Sequence, residues 1–210
     1  MTDNGVIAIS GVDGSGKSTQ ARLLSYYLMI SKKLSTKIIW IKGNHTIAFL
    51  FYKLIPSSHI VFFDNNVYTH TLFRSKFYKL WIAIETIGVL LKILFNVKIP
   101  STGKKILADR YLLDTLVYLI MASGKNINIL NLLPLRVLLS MLLRDTRTIV
   151  LDVDVVTVTK RKPGLRRFKH IIAFEIALYR AIARTLNIHI IKSDGRIIDV
   201  LKKIVRVIGY

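Results

Sequence analysis

The sequence predicts an α/β domain in which a parallel sheet is covered by helices on both faces. Short β-rich apolar runs alternate with longer segments of helical period, the signature of strand–helix–strand units. Several of the short runs, Val6-Ile7-Ala8-Ile9 among them, are apolar throughout, as strands buried on both faces are. The chain has 210 residues, 52% of them hydrophobic, which is enough for one full core and sets the expectation of a single domain over 1–210.

In chain order, the expected strands are Val6–Ser10, Lys37–Lys42, Lys104–Asp109, Thr148–Asp152 and Ile188–Ile191. The first helix is expected over Lys17–Ser31. The last is expected over Arg196–Ile208, where Ile197, Val200, Leu201, Ile204, Val205 and Ile208 form one stripe opposite Lys202, Lys203 and Arg206. A long insertion, about 44–103, separates the second and third strands. Within it Leu80–Phe95 is apolar nearly all round, broken by Glu85 and Lys92, and is expected to be mostly buried. Leu132–Leu143 has the same character.

Composition excludes several chemistries. There is no cysteine, so disulfides, thiolate metal sites and cysteine nucleophiles are ruled out. The five histidines, His45, His59, His70, His170 and His189, show no metal-ligand spacing. The longest stretches free of charge, such as Leu54–Phe63 and Thr115–Gly124, run ten residues, whereas a spanning helix needs about 20. The N-terminus, Met-Thr-Asp-Asn, leads straight into a strand, so the expectation is a cytoplasmic protein without a secretory signal. Lys and Arg number 32 against 12 Asp and Glu, a formal charge of +20. That excess is read as a diffuse basic surface around a phosphate-handling site, so no stable nucleic-acid or membrane partner is expected, although the charge leaves both open.

The chemistry is concentrated at residues 11–19. Gly11, Val12, Asp13, Gly14, Ser15, Gly16, Lys17, Ser18 and Thr19 spell G-x-x-x-x-G-K-[ST] between an apolar strand and a helix. The glycines let successive N–H groups turn toward phosphate oxygens, and the new helix adds the positive end of its dipole. Lys17 supplies a mobile cation for the β- and γ-phosphates, and the Ser18 hydroxyl a magnesium ligand. ATP and Mg2+ are the expected ligands.

The third strand ends Ala108-Asp109-Arg110-Tyr111. In open α/β sheets ligands sit beyond the carboxyl ends of the strands, where Asp109 is placed to hold magnesium through water, as an acidic partner to Ser18, and Arg110 to meet a second anionic group. The loop, taken with Asp109-Arg110-Tyr111 and the run Asp114-Thr115-Leu116-Val117-Tyr118, resembles the thymidylate kinase family of nucleoside monophosphate kinases. Leu151-Asp152-Val153-Asp154 resembles that family's fourth strand end, the basic segment 160–169 its lid, and Phe174 through Asn187 the helix after it.

The resemblance implies a five-stranded parallel sheet in order 2-3-1-4-5, a homodimer, and transfer of the ATP γ-phosphoryl group to the 5′-phosphate of dTMP. It also implies that Asp13 contacts the acceptor sugar and that Arg110, with Tyr111 beside it, meets the acceptor phosphate. Some relatives carry an arginine inside the loop where this chain has Gly14, so the neutralising arginine is expected from the lid, among Arg161, Arg166 and Arg167. Lys160–Arg167 reads as a mobile loop with Pro163-Gly164 as its turn.

On the acceptor side the chain departs from the family. Its second strand runs into Trp40-Ile41-Lys42-Gly43-Asn44-His45-Thr46 where relatives have Thr-Arg-Glu-Pro-Gly-Gly; Lys42 or His45 would substitute only partly, since neither offers a guanidinium fork. Arg74 is the candidate base reader, one turn before the family's position near Phe77, and Phe73 and Phe77 either stack a base or fill the core. Other acceptors therefore stay open, a polynucleotide 5′ end among them, as does a nucleotide-binding switch or membrane-surface module.

Overall fold

The structure, a computed structural model, describes residues 5–41, 61–63, 66–68, 78–98, 103–124 and 127–210. The strands are β1 (Val6–Ser10), β2 (Thr36–Ile39), β3 (Val61–Phe63), β4 (Asn66–Tyr68), β5 (Lys105–Asp109), β6 (Thr146–Asp152) and β7 (His189–Lys192). Five of them form the main sheet in order β2-β5-β1-β6-β7, all pairs parallel. Counted by the sheet's own strands, this is the expected 2-3-1-4-5. Strands β3 and β4 make a separate antiparallel ribbon.

The α-helices are α1 (Lys17–Lys32), α2 (Tyr78–Ile93), α3 (Leu112–Ala122), α4 (Leu133–Asp145), α5 (Val155–Arg161), α6 (Lys169–Thr185) and α7 (Ile197–Ile208). They cover both faces of the sheet, and β1 shows why its sequence is apolar at every position. Val6 and Ala8 enter the core shared with α2, α3, α4 and α6. Ile7 and Ile9 enter the opposite core, closed by α1 and α7. Successive strand residues point to opposite faces, and here both faces are dry. The α7 stripe buries Val200, Leu201, Ile204 and Ile208 against that second core, each contributing about 1.5–3 kcal/mol.

Three local expectations are corrected. The second strand leaves the ladder at Ile39, short of Lys42, although the Ile41 N–H still donates to the Arg110 carbonyl at 3.2 Å. The basic segment expected to be a mobile lid loop is helical. Asp154 caps α5 by accepting from the Thr157 N–H at 2.6 Å, and a 3-10 turn at Pro163–Phe168 leads directly into α6. Finally, α2 is only half buried. Trp81, Ile82, Val89 and Ile93 pack inward, while Leu80, Ile87 and Leu91, with Leu94 and Phe95 just beyond the helix, are exposed. By length and composition Lys79–Val97 would cross a membrane, yet 44% of it is buried within the fold. Lys42 and most of the 44–103 insertion, including His45, Phe73, Arg74 and Phe77, lie outside the described residues.

Candidate phosphate-binding site

The loop between β1 and α1 is shaped by glycine. Gly11, Gly14 and Gly16 all have positive φ, at 140°, 86° and 96°. At Gly11 a Cβ would lie 2.6 Å from the Leu151 carbonyl oxygen on β6, so no side chain fits there without displacing the neighbouring strand. Gly16 forms the left-handed N-cap of α1, whose first turn carries no acidic residue. The N–H groups and the dipole of that turn have the geometry that suits an anion, with Ser18 and Thr19 exposed beside them.

Lys17 is buried, and its ammonium donates to the Gly11 and Val12 carbonyls at 2.7 and 2.8 Å. Burial lowers its proton affinity below the usual lysine range, an effect opposed mainly by the negative charges of Asp114 and Asp109.

Register places the next acidic group. Asp109 pairs with Ile9 across β5 and β1, so its carboxylate stands at the sheet edge from which the loop departs. Its Oδ1 is buried and has no hydrogen-bond partner among the described residues, as would suit an oxygen meant for a cation or its water. Asp109 and the Ser18 hydroxyl are hard oxygen donors of the kind that hold Mg2+ together with substrate phosphates. Among the described residues no group of three His, Cys, Asp or Glu could form a metal cage.

Arg110 follows in the left-handed region, φ 79°, an uncommon conformation for a residue with a side chain. Its N–H donates to the Ile9 carbonyl at 3.2 Å. That geometry turns the guanidinium back over the loop, where it pairs with Asp13. Tyr111 is buried beside it.

Of the three lid arginines, Arg161 reaches the loop. It donates to the Gly14 carbonyl at 3.1 Å and to the Ser193 carbonyl at 2.7 Å. Arg166 and Arg167 are exposed on the 3-10 turn, with the Arg167 guanidinium 4.6 Å from the centre of the Phe168 ring. Arg161, Ser15, Gly16, Thr19, Gln20 and Ser193 line much of a 180 Å³ cavity beside the start of α1.

Sequence reading gave no role to Asp114 and missed Tyr179. The Asp114 carboxylate is buried and accepts four hydrogen bonds: from the Ser10 hydroxyl (2.6 Å), the Gly11 N–H (3.3 Å), the Tyr111 N–H (3.1 Å) and the Tyr179 hydroxyl (2.8 Å). It joins the loop, the end of β5 and α6. The signal was one acidic residue inside the otherwise uncharged run Leu112–Ala122.

No protein-family model matches the sequence, and no curated protein is significantly similar to it. Among solved structures, the thymidylate kinase of Ehrlichia chaffeensis is similar over 99% of both chains, with a TM-score of 0.57 and 19% sequence identity. This likeness establishes the α/β fold, a five-stranded parallel sheet in order 2-3-1-4-5 flanked by helices. The match in fold spans the whole chain.

Proposed function

We propose that the chain is a nucleoside monophosphate kinase that uses Mg-ATP, with dTMP the leading acceptor. The observation that carries this reading is the Asp13–Arg110 pair. It sets a second cationic group beside the triphosphate loop, where an acceptor phosphate and its sugar would be held in line with the γ-phosphate.

In this reading the loop N–H groups and the α1 N-terminus cradle the donor phosphates, and Lys17 turns from its loop carbonyls to the β/γ oxygens. Ser18 and Asp109 would hold Mg2+, which when bound would supply charge neutralisation to the donor phosphates. The donor base and ribose occupy the cavity walled by Arg161 and Ser193. Arg110 holds the acceptor phosphate, Asp13 its sugar hydroxyl, and a lid arginine offsets the charge that develops during transfer. Phosphoryl transfer asks mainly for positioning and charge neutralisation, which these residues supply.

The test is coupled ADP release measured across dTMP, dUMP, CMP and AMP. The expected result is release stimulated most strongly by dTMP and reduced about a thousandfold in Lys17→Ala. Mg-ATP binding with no acceptor in the panel raising ADP release would overturn the monophosphate assignment. Undiminished activity in Lys17→Ala would overturn the site itself.

A further inference from the structure

The two ends of the main sheet carry opposite charge. All its strand pairs are parallel, so the carboxyl ends share one edge and the amino ends the other. Asp109 and Asp152 end β5 and β6, Asp13 lies in the loop after β1, and Asp154 and Asp194 follow β6 and β7. These five acidic residues stand at the carboxyl edge, on the side of the phosphate loop.

At the amino edge three cavities lie in series. The first, about 620 Å³, opens between α1 and β2 and shares Leu34 and Ser35 with the second, of about 460 Å³. The second shares Arg147 and Ile208 with the third, of about 360 Å³, which reaches His189 at the start of β7. They form one furrow under a sheet edge about 19 Å wide, four strand spacings of about 4.8 Å.

The described residues that line this furrow include Arg22, Lys33, Lys104, Lys105 and Arg147 and no Asp or Glu. All five cations except the half-buried Lys105 are exposed. Even counting Asp145, which ends α4 just before β6, the edge keeps a clear cationic excess. Helix dipoles explain cations at the ends of α1 and α7, where Lys33 stands and where Arg147 donates to the Ile208 carbonyl at 2.8 Å. Lys104 and Lys105 instead introduce β5. Two aromatic rings are interleaved. Tyr26 lines the first cavity and is 59% exposed; Tyr210 lines the second, with the Lys105 ammonium 6.0 Å from its ring centre. The basic residues are scattered along the sequence, and the sheet order gathers them.

We propose that this furrow binds single-stranded nucleic acid, its phosphates along the cations and its bases against Tyr26 and Tyr210. A positively charged groove with aromatic platforms is the form such binding takes. A small anion would fill one cavity and leave the series unexplained. A lipid surface is flat and meets protruding apolar residues, whereas these cations line recesses that a flexible strand can enter. The inference is independent of the proposed kinase reaction, since it concerns the opposite edge of the sheet and is read by binding alone.

Fluorescence anisotropy of the full chain with labelled single-stranded DNA of mixed sequence, about 15 nucleotides long, tests it. Binding is expected to weaken about a hundredfold between roughly 50 and 200 mM salt and to persist at saturating Mg-ATP. Arg22→Gln/Lys33→Gln/Lys104→Gln is expected to lower affinity about tenfold or more with circular dichroism unchanged. Lys79→Gln/Lys202→Gln/Lys203→Gln removes the same charge from exposed positions outside the furrow and is expected to stay within about twofold of the wild type. Should the first triple misfold, Arg22→Gln/Lys104→Gln gives the same reading in milder form. Absence of binding at low salt would overturn the proposal. So would displacement of the DNA by Mg-ATP, which places the strand at the phosphate loop, or an equal loss in the two triples, which makes the attraction one of net charge. Binding to phosphatidylserine vesicles but not to DNA would give the edge to lipid instead.

Discussion

The phenolic hydroxyl of Tyr179 donates to the buried carboxylate of Asp114 at 2.8 Å. This bond ties α6 to the carboxylate that also takes the first N–H of the phosphate loop. Burial pushes the Tyr179 hydroxyl well above the usual tyrosine range, and the negative charge of Asp114 adds to the shift. The unfolded chain releases this proton near pH 10, while the folded chain keeps it. Above that pH the folded state binds more protons than the unfolded one, so stability falls as pH rises. The contribution is complete below about pH 10 and is lost progressively above it.

Tyr179→Phe is therefore expected to cost about 1.5–3 kcal/mol near neutrality, the range for a hydrogen bond to a charged group. The deficit should shrink at about pH 11, where the wild type has lost part of its advantage. Urea midpoints at the two pH values measure this. An identical gap at both would show that the hydroxyl does not hold its proton through the alkaline range.

Gly11 and Gly16 separate two kinds of glycine requirement. Both have positive φ, but only Gly11 also faces a backbone oxygen at 2.6 Å from its would-be Cβ; Gly16 has open space there. Gly16→Ala is expected to cost about 1–2 kcal/mol of backbone strain. Gly11→Ala adds a clash with β6, for a total of about 3–5 kcal/mol. Denaturant unfolding ranks them, and equal losses would contradict the contact with Leu151.

The orphaned Oδ1 of Asp109 predicts an unusual separation of stability from activity. Asp109→Asn removes a carboxylate that has no hydrogen bond at that oxygen, so unfolding stability is expected to hold within about 1 kcal/mol. Turnover is expected to fall about a hundredfold, with the Mg2+ concentration for half-activity rising. A variant whose Mg2+ dependence matches the wild type would remove Asp109 from the metal site.

Much of this architecture was legible because it depends on local pattern. The uninterrupted apolar run at Val6–Ile9 reports two covered faces, and the α7 stripe reports one. The loop was legible for a related reason: its glycines answer to backbone geometry that no other residue meets. Asp114 was obscure because its partners Ser10, Gly11 and Tyr179 are distant in sequence and are joined to it only by the sheet order and α6. The lid was misread because Pro163-Gly164 dominates its appearance, whereas the cap that makes α5 helical sits upstream at Asp154. For α2, composition registers apolar character but not which side finds a partner. Half of its apolar surface has core neighbours, and the other half faces outward.

The arginines of the segment expected to be a lid separate by geometry into a fastener and two exposed cations, one of them over the Phe168 ring. Arg161 spends its guanidinium on the Gly14 and Ser193 carbonyls, so it fixes α5 against the loop and forms a wall of the adjoining cavity. Its replacement by alanine is expected to raise the KM for ATP about tenfold, the equivalent of one charged hydrogen bond, with kcat little changed. Arg166 and Arg167 are exposed and stand on a short 3-10 turn between α5 and α6. Alanine at whichever of them meets the transferring phosphoryl group is expected to lower kcat about 10²–10³-fold with KM nearly constant, since the contact forms only in the transition state. Steady-state kinetics on the three single variants resolves the roles. A fall in kcat confined to Arg161→Ala would make that residue the neutralising charge, and unchanged rates in all three would remove the lid from the chemistry.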